Sequence, residues 1–202
     1  MIRQDLLELQ WRQLNHDELY HREIARLSVG DRMKHMTLHL AKYLGHIAEA
    51  DAAGTCVDPQ HLVDVYIICL SAANVVNLDL ASNFKSQSGE SRTVLELGKE
   101  LNGDRSAGIP NITGFARDLA IGVGRLAKAC ESLDHVETFA FRESMQRGIL
   151  SIFSLVVAEC AHRDLDLEAM TIARQDRVRA RHIFDGFLRP TFEDAIAKAG
   201  LK

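Results

Sequence analysis

Proline is scarce, with Pro59, Pro110 and Pro190 the only three in 202 residues. Long stretches without it can run as helix, because no backbone donor is lost and no ring clashes with the preceding turn. Alternating apolar and polar runs of the strand type are nearly absent, which argues against a sheet. Aromatic residues make up only 6%, with one tryptophan, Trp11. The four cysteines, Cys56, Cys69, Cys130 and Cys160, form no CxxC pair, and no zinc-finger spacing occurs. Cys69, Cys130 and Cys160 fall in apolar helical patterns, where cysteine acts as a small buried hydrophobe. All four read as reduced thiols. Positive charge is not in excess: the formal net charge is -4 and the pI is near 6.1. That leaves no global signal for nucleic acid or a membrane surface, although a local phosphate pocket remains open. The longest apolar stretch, Val63 to Val76, is broken by Asp64, Ser71 and Asn74 and is too short to span a bilayer. Residues Met1 to Asp5 carry no signal-peptide pattern. With the reduced thiols, this predicts a cytoplasmic protein. P-loop, GxGxxG and serine-nucleophile motifs are all missing.

What is present is helical periodicity. Hydrophobic residues are 47% and charged residues 26%, the balance of a globular chain able to bury a core. The expected fold class is all-α. One or two helices are predicted over Leu6–Leu27, with Asn15-His16-Asp17 as a break and cap. A long helix follows from Gly30-Asp31 to Ala52, with Asp31 as its N-cap. Pro59 opens the next, to about Asn77. A short helix is predicted over Val94–Leu101. Further helices are predicted over Thr113–Leu133, Val136–Ala161 with a break near Arg147-Gly148, and Leu167–Leu188. The stretch Asn102 to Asn111 reads as a linker. The organisation is therefore a first unit over 1–100, a linker over 101–112 and a second unit over 113–202.

The two units repeat each other. Leu40-Ala41 to Ala50 lies on Leu119-Ala120 to Ala129, with a shared L-A-x-x-apolar-G-x-apolar-A-x-A pattern. The following helices match as well: Val65-Tyr66 on Ile152-Phe153, and Leu78-Asp79-Leu80 on Leu165-Asp166-Leu167. The first block is offset by 79 residues and the second by 87, so eight extra residues lie between, around Leu133–Phe141. Gly45 and Gly124 at matched places predict close helix approach in a bundle.

These stretches resemble the MazG-type all-α nucleoside triphosphate pyrophosphohydrolases. The family's first core helix is similar to L-x-E-E-x-G-E-L-x-E-A. Its second is similar to E-x-x-D-V-L-I-Y-L-L and ends near L-G-I-D-L. Here the matching segments are Leu40–Ala50, His61–Leu70 and Asn77–Leu80. The resemblance covers roughly residues 32–86 and, more weakly, 113–182. It implies two fused units forming a pseudo-dimeric bundle, with Mg²⁺ on acidic side chains of the core helices and cleavage of a nucleotide's α–β phosphate bond.

The acidic set is largely replaced. The paired glutamates fall on Lys42 and Tyr43, the next on His46, and the E-x-x-D pair on His61 and Asp64. Asp64 alone keeps its type at the expected ligand positions 43, 46, 61 and 64. In the second copy those places hold Gly122, Arg125, Gly148 and Ser151. Nine histidines is a high count, and His35, His39 and His46 fall within about 40° on one helix face. Three readings stand. In the first, the chain binds a nucleotide or small phosphate ligand, with Mg²⁺-dependent hydrolysis weak or lost. Lys42, Tyr43, Asn74, Asn83 and Lys85 are then its candidate contacts, and His46, His61 and Lys42 could meet phosphate directly. In the second, His39, His46, His61 and Asp64 hold a divalent metal, with Zn²⁺, Mn²⁺ or Fe²⁺ favoured over Mg²⁺, and His46, His61 and Asp64 serve catalysis. In the third, the bundle is a non-catalytic scaffold. A homodimer is compatible with each. The run Arg174, Arg177, Arg179 and Arg181 reads first as a solvated helix face, and Trp11 as packing.

Overall fold

The computed structural model describes residues 2–84, 93–103, 112–135 and 137–200. Among them lie α1 (Ile2–Tyr20), α2 (Arg22–Ala25), α3 (Val29–Ala52), α4 (Pro59–Val75) and α5 (Leu80–Asn83). Then come α6 (Val94–Gly103), α7 (Ile112–Asp134), α8 (Phe141–His162), α9 (Leu167–Ala180) and α10 (Asp185–Lys198). No strand occurs among the described residues. The all-α expectation holds.

Two helical hairpins make the centre. α3 lies beside α7, and α4 beside α8. The Lys34 ammonium reaches Asp134 at 2.8 Å, so the start of α3 meets the end of α7 and the two run antiparallel. α6 lies along α8, and α1 crosses α4 with α9 and α10 beside it. One apolar core takes side chains from both halves, among them Leu40, Ile47, Leu62, Tyr66, Leu119, Leu126 and Phe153. The predicted linker falls mostly on 104–111, outside the described residues.

The sequence repeat reappears as geometry. α4 and α8 both end with a left-handed residue, Asn77 at φ 52° and Asp164 at φ 51°. In each case the next amide closes back five residues: Leu78 N–H to Ala73 O and Leu165 N–H to Cys160 O, both 2.9 Å. This is the Schellman closure, which satisfies carbonyls that a helix end leaves open. Asp79 and Asp166 then cap the next helices through the amides of Ser82 and Ala169. All these pairs share the 87-residue offset. So do Tyr66 and Phe153, whose rings meet at 5.6 Å. Residues at matched positions of the repeat thus meet where α4 lies beside α8.

Several sequence expectations are corrected. α1 runs straight through Asn15-His16-Asp17, because Asp17 O accepts the His21 amide at 2.9 Å and Asp17 caps nothing. The break comes at His21 (φ -130°, ψ 43°). Ser28, not Asp31, caps α3; its Oγ accepts the Asp31 amide. α8 is unbroken at Gly148. The last predicted helix is two, α9 and α10, parted at residues 181–184. Gly45 and Gly124 face open space rather than a neighbouring helix. Close approach falls instead at Gly122, where a Cβ would sit 2.6 Å from Ile152 Cγ1, and at Gly148, 2.7 Å from Leu126 Cδ2.

Candidate functional site

A pocket of about 190 Å³ opens between α1, α2, α3, α4 and α9. α1 and the break after it contribute His16, Asp17 and His21. α3 adds Arg32, His35, His39 and Tyr43 at helical spacing, α4 adds Asp64 and Ser71, and α9 adds Arg174 and Gln175. Ile67, Ile68 and Met36 supply its apolar wall. The pocket thus lies against the α3–α4 face singled out by the sequence, and is completed by α1 and α9.

Asp64 anchors the α4 wall. It is 7% exposed, and Arg174 donates to it in a fork, Nε to Oδ1 at 2.8 Å and Nη2 to Oδ2 at 3.1 Å. Gln60 Nε2 adds a longer bond at 3.3 Å. A bidentate guanidinium matches a carboxylate in both charge and shape. Burial opposes the Arg174 charge, but the bonds to Asp64 outweigh it and raise the guanidinium above its ordinary pKa. Burial and the Asp64 charge push the Tyr43 phenol up to about 12.

The α1 wall holds buried polar groups as well. Asp17 accepts Ser71 Oγ at 2.7 Å and Gln13 Nε2 at 2.8 Å. Its burial outweighs these bonds and raises its pKa. His16 is 3% exposed and stacks on Tyr20 with centroids 5.2 Å apart. Burial, helped by His21 and Arg179, pushes it down to about 3, so it is neutral at ordinary pH. Gln175 ties α9 to α1 by accepting Arg12 Nε at 2.9 Å and donating to Gln13 at 2.8 Å. Burial, then His35 and Lys42, lower His39. Arg32 Nε is buried and has no hydrogen-bond partner among the described residues.

The residues predicted from sequence are only partly gathered here. His39, Tyr43 and Asp64 line the pocket. His46 and His61 stack on each other beside it, with centroids 4.8 Å apart, and His46 faces Glu49 at 3.4 Å. His39, His46, His61 and Asp64 are not among the described groups whose ligand atoms lie within 4.8 Å of one another. Lys42 lies over the Tyr43 ring at 4.1 Å. Asn74 exchanges hydrogen bonds with Gln10, donating to its backbone carbonyl at 2.9 Å and accepting from its side chain at 3.2 Å. Asn83 caps the short α5 turn through Asp79 O at 2.8 Å. Lys85 lies outside the described residues.

The arginine run is only partly a solvated face. Arg174 holds Asp64, Arg177 bonds Gln60, and Arg179 is buried against Phe192 and Asp176. Arg177 and Arg181 are the exposed members of the run. Trp11 reaches α10 through Nε1–H to Ala195 O at 3.3 Å.

The resemblance to the pyrophosphohydrolases implies Mg²⁺, and the residues present do not fit it. Mg²⁺ asks for near-octahedral oxygen ligands. Positions 43, 46, 61 and 64 offer a phenol, two imidazoles and one carboxylate already forked onto a guanidinium. Sequence reasoning missed His16, Asp17, Arg32 and Arg174 as pocket residues. The signal available for the first two was the close His16-Asp17…His21 spacing, which was read as a helix break. No protein-family model, curated protein or solved structure matches the chain. The cysteines are free, with Cys56 exposed and the other three buried. Among the described residues no helix is long and apolar enough to cross a membrane.

Proposed function

We propose that this chain is a divergent, MazG-like tandem whose pocket binds a small phosphate-bearing ligand without Mg²⁺-dependent hydrolysis. The Arg174 fork on Asp64 carries this reading. Asp64 is the one carboxylate retained at the family's expected ligand positions, and a guanidinium now neutralises it where that family would use a metal. Displacing Arg174 to admit Mg²⁺ would break a largely buried ion pair, which is strongly unfavourable. Arg32 Nε and the neighbouring His35 and His39 remain to meet an anion. A cavity of about 190 Å³ suits a sugar phosphate or the phosphate end of a nucleoside monophosphate better than a whole triphosphate.

A thermal-shift series with inorganic phosphate, sugar phosphates and nucleoside mono- and triphosphates tests the proposal. A ligand that binds only the folded state raises the melting temperature. The expected result is a rise with a monophosphate that is lost in Arg32→Gln, and no Mg²⁺-dependent release of pyrophosphate from any triphosphate. No shift with any phosphate would leave the bundle as a scaffold. Mg²⁺-dependent turnover would overturn the loss of hydrolysis.

A further inference from the structure

His16, Asp17 and His21 form a cluster on the α1–α2 wall of the pocket, on different elements from the histidines that the sequence singled out. Each offers one ligand-type atom, and the three atoms lie within 4.8 Å of one another. Among the described residues no other group of three or more histidine, cysteine or carboxylate side chains does this. Three further observations bear on it. Both ring nitrogens of His16 are buried without a well-formed hydrogen bond among the described residues, the Gln175 backbone alone coming near the ring, which is costly for an imidazole unless something else satisfies it. Asp17 is held from behind: Ser71 donates to one oxygen at 2.7 Å and Gln13 to the other at 2.8 Å. That is the outer-shell support which orients a ligating carboxylate while leaving lone pairs free. His21 has left the helix, and its backbone at φ -130° and ψ 43° turns the chain between α1 and α2. Residues i and i+5 of a continuous helix point about 140° apart, so this break is what lets the His21 ring come within 5.4 Å of the His16 ring.

We propose that His16, Asp17 and His21 bind one divalent first-row transition-metal ion on the wall of the pocket. Two imidazoles and one carboxylate suit Zn²⁺, Fe²⁺ or Mn²⁺ and are too rich in nitrogen for Mg²⁺. A tetrahedral ion holds its donors about 3.3 Å apart, so binding draws the three side chains together by small rotations. Three protein ligands leave at least one coordination position open, and it faces the pocket. The site stands independently of the phosphate reading, because it fills with no phosphate present.

Full-length protein, stripped with a chelator and titrated with Co²⁺ in phosphate-free buffer, tests this. The expected result is one ion per chain with visible d–d absorption, and a higher melting temperature with Zn²⁺. Asp17→Asn and His21→Ala weaken Co²⁺ binding by at least about tenfold. His21 lies outside any helix and is only half-buried, so His21→Ala decides the matter if Asp17→Asn fails to fold. The surface variant His135→Gln leaves binding unchanged. Absence of one-to-one binding overturns the proposal. So does binding that survives His21→Ala, or binding that His61→Gln abolishes while His21→Ala does not. Phosphate shifts are measured separately on the same stripped protein, so either proposal can fail alone.

Discussion

The two halves of the bundle use the same positions in opposite ways. In the α3–α4 hairpin, places 43, 46, 61 and 64 hold Tyr43, a stacked His46–His61 pair and the buried Asp64. In the α7–α8 hairpin the matching places hold Gly122, Arg125, Gly148 and Ser151. Two glycines there let the helices close until Ile152 and Leu126 fill the gap. One half keeps bulky polar side chains beside a pocket, and the other is sealed by van der Waals packing. The two hairpins thus differ in use: one borders the pocket while the other is closed by packing. The matching helix ends at Asn77–Leu80 and Asp164–Leu167 give both hairpins the same local frame under different faces.

Removing the strongest polar tie on the open half should have the largest effect. Arg174→Ala leaves the Asp64 carboxylate buried without its main partner and should cost about 3 kcal/mol in urea unfolding. Ser151→Ala, at the exposed counterpart of Asp64, should stay within about 0.5 kcal/mol. An equal loss at both would erase the asymmetry.

The next effect is a pH slope. Burial holds His16 at about 3 in the folded chain, against 6.5 as its ordinary value. As pH falls the unfolded state takes up this proton first, so stability that is full above pH 6.5 is lost progressively toward pH 3. Asp17, with its raised pKa, acts in the opposite sense: its contribution is present below 3.8 and is lost as pH rises through its folded value. Comparison with His16→Gln isolates the histidine. In chelator-treated protein the stability lost between pH 6.5 and pH 5 should be about 2 kcal/mol greater in the wild type than in the variant.

Glycine substitutions sharpen the contrast further. Gly122→Ala drives a methyl into Ile152 and should destabilise by about 1–2 kcal/mol. Gly45→Ala and Gly124→Ala point into open space and should stabilise by up to about 1 kcal/mol each, through helix propensity. Destabilisation at Gly45 would mean that the outer face of α3 is packed against something.

Local pattern carried much of the fold. Apolar period and the scarcity of proline located α3, α4 and α7 within two residues, while α8 begins at Phe141, five residues after the expected Val136. Local chemistry misled where competing caps were available. Asp17 and Asp31 are both capable N-caps, yet Asp17 is drawn to Ser71 on α4, and Ser28 takes the cap that Asp31 was expected to supply. The site was legible only on its α3–α4 wall. Arg174 meets Asp64 across 110 residues, and Gln175 meets Gln13 across 162. No helical period records which distant helix will lie opposite. For the same reason no local pattern marks His16 and His21 as pocket residues, because it is the packing of α1 on α4 that brings them there.

Amide hydrogen exchange, with and without a saturating nucleoside monophosphate, tests the division of labour between the two halves most directly. The account predicts slowed exchange confined to the end of α1, α2, the first half of α3 and α9, with α7 and α8 unchanged near Gly122 and Gly148. Protection centred between α7 and α8, or no protection anywhere, would contradict it.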